Sequence, residues 1–306
     1  MKNVSILFLV FNRPGTTKKV FEAIRQAQPS KLYVAADGAR SDIVGEEKKV
    51  QEVRCIATNV DWDCEVKTLF RDQNLGCKMA VSSAITWFFE HEEEGIILED
   101  DCLPDQTFFP YCEELLERYR NDTRIMAISG DNFQQGKKRT EYSYYFSRYN
   151  HVWGWASWRR AWKFYDKELL SWPEIKSYGL LNDIAGGNEA LANYWGNIFD
   201  TCYTGQIDTW DYQWMFSCWI QSGLTILPNV NLISNIGFDV HATHTKKQDD
   251  KHACMPVEMI ECPLAHPPFV IRGAIADAFT DRNTFGIKQP QPSLIYRLID
   301  QVRKCF

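Results

Sequence analysis

The chain has 306 residues, 45% hydrophobic and 24% charged, which suits one large or two small folded domains and excludes a disordered or collagen-like protein. Its 34 Lys and Arg against 40 Asp and Glu leave a net charge of −6, and a broad nucleic-acid-binding surface needs clustered positive charge instead. Eleven Trp, 13 Tyr and 18 Phe supply rings that fill cores or stack on flat ligands and sugar faces.

In chain order, Val4–Val10 is an almost continuous apolar run of the kind found in strands buried on both faces, and Phe11-Asn12-Arg13-Pro14-Gly15 breaks it. Too short for a signal peptide and followed by no small-residue cleavage site, it reads as a strand. Thr16 or Thr17 is placed to cap a helix carrying Val20, Phe21 and Ile24 on one face. Leu32–Ala36 is a second buried-type strand halted by Asp37-Gly38, Glu46–Ala57 is helical in composition, and Val66–Phe70 is a third strand. The turn-rich Arg71–Gly76 leads into a helix with Val81, Ala84, Ile85 and Phe88 at helical spacing, which Gly95 is expected to end. Ile96–Leu98 then forms a short buried strand running into Glu99-Asp100-Asp101.

Regular alternation of strand and helix predicts an α/β fold with a mainly parallel sheet flanked by helices. Helix Phe108–Tyr119 and strand Arg124–Ser129 extend it. Beyond Gly130 aromatics dominate, from Tyr142 to Trp172, and Leu224–Leu232 is strand-like. No Pro/Gly/Ser linker separates the halves. Residues 1–290 are therefore read as one domain, with a nucleotide-binding half (1–130) and an aromatic-rich acceptor half (131–290). Residues 291–306 form an amphipathic helix, with Leu294, Ile295, Leu298 and Val302 opposite Arg297, Asp300 and Arg303. That helix either docks on the body of the protein or rests on an anionic membrane. No run approaches the roughly 18 apolar residues that span a bilayer. The ten cysteines contain no CxxC pair, which disfavours structural zinc and reads as buried free thiols in the cytoplasm.

Glu99-Asp100-Asp101 is the most informative feature. Three carboxylates directly after a buried strand repel one another, and Mn²⁺ or Mg²⁺ removes that penalty by taking carboxylate and phosphate oxygens together. A solvated acidic turn is the plain alternative. The C-terminal ends of parallel strands are where open α/β sheets bind ligands. Asp37 ends another strand, and Arg13 and Arg71 follow two more, where guanidinium groups pair well with diphosphate oxygens. The set points to a nucleotide diphosphate bound through a metal.

The ordered segments FNRP (Phe11–Pro14), AADG (Ala35–Gly38), RDQNLGCKMA (Arg71–Ala80) and ILEDDCLPDQTFFPYC (Ile97–Cys112) resemble the GT-A nucleotide-sugar glycosyltransferases, especially the β-1,2-N-acetylglucosaminyltransferase I type. ISGDN (Ile128–Asn132), HVWGWASWRRAW (His151–Trp162) and DTWDYQW (Asp208–Trp214) follow in the order such proteins show, so the resemblance covers about residues 3–245. It departs from the eukaryotic enzymes in lacking a membrane anchor and stem, as a bacterial-type homologue would. The resemblance implies a Rossmann-like GT-A fold and a metal-dependent, inverting hexosyl- or N-acetylhexosaminyltransferase. Such an enzyme moves a sugar from a UDP-sugar to a hydroxyl of a glycan or lipid-linked glycan, as in polysaccharide biosynthesis. It places Mn²⁺ or Mg²⁺ on Asp101, with His244 brought back to the metal, and sets Glu99 and Asp100 on the ribose, sugar or metal-bound water. Asp37 faces the nucleobase, and Arg13 meets the uridine–phosphate portion.

The resemblance also makes Asp211 of Trp210-Asp211 the base, although Tyr212 replaces the family's second acid, and Asp208 and Asp131 are the runners-up. Trp153, Trp155, Trp158, Arg159 and Arg160 either wall the sugar side of the pocket or are packed core with two surface arginines. Trp210 and Trp214 stand between the same two roles. Two other readings remain: a nucleotidyltransferase acting on a sugar phosphate, for which FNRPGTT is a poor triphosphate cradle, and a non-catalytic sugar-binding module.

Overall fold

The computed structural model of the chain describes residues 4–238 and 252–287. In chain order its elements are β1 (Ser5–Val10), α1 (Pro14–Ala27), β2 (Lys31–Ala36), α2 (Glu46–Thr58), β3 (Glu65–Phe70), α3 (Gly76–His91), β4 (Glu94–Glu99), β5 (Cys102–Pro104) and α4 (Phe108–Arg118). There follow β6 (Ile125–Ser129), β7 (Tyr144–Ser147), β8 (Trp155–Trp158), α5 (Arg159–Trp162), α6 (Trp172–Ser177), α7 (Leu180–Ile184), α8 (Glu189–Tyr203), α9 (Asp211–Ile220), β9 (Leu224–Pro228), β10 (Ile233–Asn235) and α10 (Ala274–Asn283).

Eight strands make one sheet in the order β3-β2-β1-β4-β8-β6-β9-β7, and β5 pairs with β10 in a two-stranded ribbon. The β3-β2-β1-β4 side is parallel throughout, as is β6 with β9, while β8 and β7 run antiparallel to their neighbours. The protein is thus an α/β structure on a mainly parallel sheet. Strand β1 shows why its run is so uniformly apolar. Ile6, Phe8 and Val10 point into a core shared with α1, α2 and α4, whereas Leu7 and Leu9 point into a second core with α3, α5 and α9. A third core, built on Trp195, Phe199, Trp172 and Trp219, packs α6 to α9 together.

Two boundaries differ from expectation. Neither Thr16 nor Thr17 caps α1. Pro14 opens that helix, Arg13 is the capping position, and both hydroxyls bond back to the Arg13 carbonyl. Nor does Gly95 end α3, which stops at His91; Gly95 sits inside β4, where a Cβ would come within 2.7 Å of both Ser5 O and Phe88 Cε1. Close packing of helix on sheet explains that glycine. The C-terminal segment 291–306 lies outside the described residues, and no helix among those described is long and apolar enough to cross a membrane.

Candidate functional site

A cavity of about 540 Å³ opens across the C-terminal ends of β1, β2, β3 and β4. Adjacency of those four parallel strands brings together residues nearly ninety positions apart. Arg13, Asp37, Arg71, Glu99, Asp100 and Asp101 all line it, and so do Asp211, at the first turn of α9, and Trp153, Trp210 and Tyr212.

The acidic triplet leaves β4 in three directions. Asp100 turns inward, where its Oδ2 accepts from the Phe11 amide (3.1 Å) and the Thr17 hydroxyl (3.5 Å). Asp101 Oδ2 accepts from Arg13 Nη1 at 2.6 Å, and the same nitrogen stands 4.0 Å from Asp100 Oδ1. Glu99, the last residue of β4, faces the cavity. Burial, and after it the negative charge of Asp101, holds both Glu99 and Asp100 well above the ordinary carboxylate range. Asp211 adds to the effect on Glu99, which ties the two walls electrostatically. A hard cation would relieve that cost, so the donor chemistry fits Mn²⁺ or Mg²⁺. Among the described residues, however, no three His, Cys, Asp or Glu side chains already converge on one metal position. Arg13 supplies positive charge there instead. His244 lies outside the described residues.

Asp37 lines the cavity, but its carboxylate is engaged within the protein. It accepts from the Gly38 amide (2.9 Å), Asn74 Nδ2 (2.9 Å), the Leu75 amide (3.0 Å) and the Gly76 amide (3.2 Å). The group expected to face a nucleobase therefore braces the loop that carries Arg71. Arg71 in turn donates to Ser83 Oγ at 3.1 Å. Asp208, one runner-up for the base, accepts from the Cys77 amide (2.8 Å) and the Lys78 amide (2.9 Å). Asp131, the other, is fully buried outside the cavity lining and accepts from the Trp153 amide at 3.0 Å. Burial drives its pKa up. Asp211 accepts from the Thr209 hydroxyl and is the one of the three whose carboxylate opens on the cavity without such a backbone task.

Trp155 corrects an expectation. It is 1% exposed in the middle of the sheet and stacks on Trp210 with ring centroids 5.7 Å apart, so it supports the cavity wall from behind. Trp158 and Trp214 are core as well. Arg160 lies over the Trp158 ring and donates to the carbonyls of Tyr119, Arg120 and Ile125, and Arg159 donates to that of Phe89. Of the Trp153–Arg160 group only Trp153 reaches the cavity. A strand buried on both faces has no side free for a ligand.

Sequence reasoning missed a brace behind Arg13. Glu46 is 2% exposed at the start of α2 and accepts from Asn12 Nδ2 (2.7 Å), the Arg40 amide (2.7 Å) and the Arg40 guanidinium. In the sequence it is one acid among several at a helix start, and nothing local marks it as enclosed. The nine described cysteines are all free; Cys77 lines the cavity, and burial first, then Glu99 and Asp211, push its thiol up out of the reactive range.

No family model and no curated protein matches the chain. Among solved structures it is similar to HddC from Yersinia pseudotuberculosis at 10% identity and a TM-score of 0.32, over 52% of this chain and 78% of that one. A UDP-glucose pyrophosphorylase complexed with UDP-glucose is similar at 11% identity and a TM-score of 0.27, over 47% of this chain and 61% of that one. Likenesses this faint carry no argument about activity.

Proposed function

We propose that the protein is a transferase acting on a nucleotide sugar, and that it moves the sugar from a UDP-sugar to an acceptor hydroxyl. The observation that supports this reading is the cavity at four adjacent strand ends, whose lining brings Arg13 and Arg71 together with the Glu99-Asp100-Asp101 carboxylates and Asp211. In it, Arg13 and Arg71 bind the diphosphate and stabilise the charge that grows on it as it leaves. A divalent cation held by Asp101, with Glu99 or Asp100 beside it, would supply further charge stabilisation to the leaving diphosphate. The acceptor oxygen attacks the anomeric carbon, the bond from that carbon to the diphosphate oxygen breaks, and Asp211 takes the hydroxyl proton. Trp153 offers its ring to the sugar face.

Nucleotidyl transfer to a sugar phosphate is the second reading, because an acidic, arginine-lined cavity serves attack at phosphorus as well as at carbon. Against it, the loop after β1 has Pro14 where a phosphate cradle wants a backbone N–H. Incubation with UDP-glucose or UDP-N-acetylglucosamine and Mn²⁺ separates the two. Release of UDP supports glycosyl transfer, whereas formation of UTP only when pyrophosphate is added supports nucleotidyl transfer. Neither product, with no metal-dependent nucleotide binding, leaves a sugar-binding module and refutes both.

A further inference from the structure

The first four N–H groups of a helix have no partner inside it. At the start of α3 the amides of Leu75 and Gly76 are taken by Asp37, and those of Cys77 and Lys78 by Asp208, 130 residues beyond Lys78 in the chain. The fit around Asp208 is tight: Gly76 has φ +77°, and a Cβ there would lie 2.7 Å from Asp208 Oδ2. Three positions on, Asp211 begins α9. Between them Trp210 is buried against Trp155, and its carbonyl accepts from the Tyr165 hydroxyl at 3.2 Å. The loop ahead of α9 thus has two anchors on different elements. Trp210 sets how deep the loop sits, and Asp208 sets how it is turned.

We propose that Asp208 is a positioning residue that clasps the wall carrying Asp211 to the wall built by Arg71–Gly76, holding Asp211 in register with a donor bound across β1 to β4. This rests on the reading of Asp211 as the base. Two consequences follow. Each oxygen of Asp208 accepts a backbone amide of α3, which gives this carboxylate a holding task that Asp211 lacks. The amides of residues 75–78 are also closed to the donor, whose phosphates are left to the arginines of the cavity.

The test compares Asp208→Ala and Asp208→Asn with Glu168→Gln, which removes the 3.1 Å ion pair to Lys78 Nζ and the 3.9 Å one to Lys167 Nζ but leaves Asp208 untouched. Amide exchange is followed at Cys77, Lys78 and Trp214, whose N–H donates to the Trp210 carbonyl at 3.2 Å. Kinetics are followed as UDP release from UDP-glucose or UDP-N-acetylglucosamine with Mn²⁺. Asp208→Ala should speed exchange at all three amides about tenfold or more. It should also lower kcat about 10–100-fold with KM for the UDP-sugar within about twofold, since small misplacement of a reacting group costs rate rather than binding. Asp208→Asn keeps one acceptor oxygen and should fall between, and Glu168→Gln should match the parent. Unchanged exchange at Trp214, or a loss shared equally by kcat and KM, overturns the clasp. A parent enzyme inert toward both UDP-sugars overturns the functional reading instead, and Trp214 exchange then decides the clasp by itself. Should Asp208→Ala fail to fold, Gly76→Ala crowds the same carboxylate from the other side and is read at the same amides.

Discussion

Gly237→Ala perturbs the acidic triplet without altering any charge. Gly237 follows β10, which pairs with β5 and so lies directly over Asp101; the Ile236 amide donates to the Asp101 carbonyl at 2.8 Å. A Cβ at position 237 would stand 2.7 Å from both Cβ and Cγ of Asp101 and closer still to its Oδ2. Because Cβ is involved, rotating the carboxylate cannot relieve the clash. The 237 backbone cannot retreat freely either, since its amide donates to Asn235 Oδ1 at 2.9 Å. Ordinary contact begins at 3.4 Å, so the Asp101 Cβ must shift by about 0.7 Å, and its Oδ2 by more unless the carboxylate also turns. Overpacking of this kind costs about 1–3 kcal/mol of stability, a fall of a few degrees in Tm. Displacement of a group at the reacting diphosphate by about 1 Å should lower turnover about 10²-fold, or about 2.7 kcal/mol in the barrier. The assay is Mn²⁺-dependent UDP release, paired with calorimetry of UDP binding with and without Mn²⁺ and with a thermal melt. A folded Gly237→Ala protein with parental turnover and parental metal dependence would show that the position of Asp101 is immaterial, and the placement of the cation would fall with it.

Three further predictions concern the far wall, the core and pH. Asp211→Asn should fold normally and bind UDP-sugar as the parent does, while transfer to an acceptor falls about 10²–10⁴-fold; full transfer would pass the role of base elsewhere. Trp155→Ala should cost about 3–5 kcal/mol by denaturant unfolding, as a fully buried Trp does, whereas Trp153→Ala should leave the melt nearly unchanged and weaken UDP-sugar binding more than UDP binding. The opposite pattern would restore Trp155 to the ligand side. Burial, and secondarily His252, pushes His151 down to about 3, while the unfolded residue titrates near 6.5. The unfolded state then binds the extra proton between those values, so stability is lost as pH falls below about 6.5, by about 2 kcal/mol at pH 5. Glu99 and Asp100 act in the other direction, losing stability as pH rises, so the readout is the difference between the parent and His151→Phe; identical pH slopes would show that His151 is not held neutral.

Much of the strand-end side of the cavity was legible in the chain itself. Apolar runs ending in Asn12-Arg13, Asp37-Gly38 and Glu99-Asp100-Asp101 read as buried strands with charged groups at their C-terminal ends, and the more polar, partly exposed β3 ends likewise in Arg71-Asp72. The order β3-β2-β1-β4, which sets those ends side by side, is a property of the assembled sheet. What each charged group does there was settled only by packing. Asp37 and Asp208 look in sequence like ligand-facing acids, yet both are turned onto the start of α3, since orphan helix amides compete for the same oxygens as a ligand. Trp153 and Trp155 are equivalent in composition and two residues apart. One reaches the cavity and the other is sealed in the core, because α5 and α9 lay Trp162, Trp210 and Trp214 over the sheet face that carries Trp155. Burial and hydrogen-bond competition depend on which distant segments arrive, and that is a property of the assembled fold.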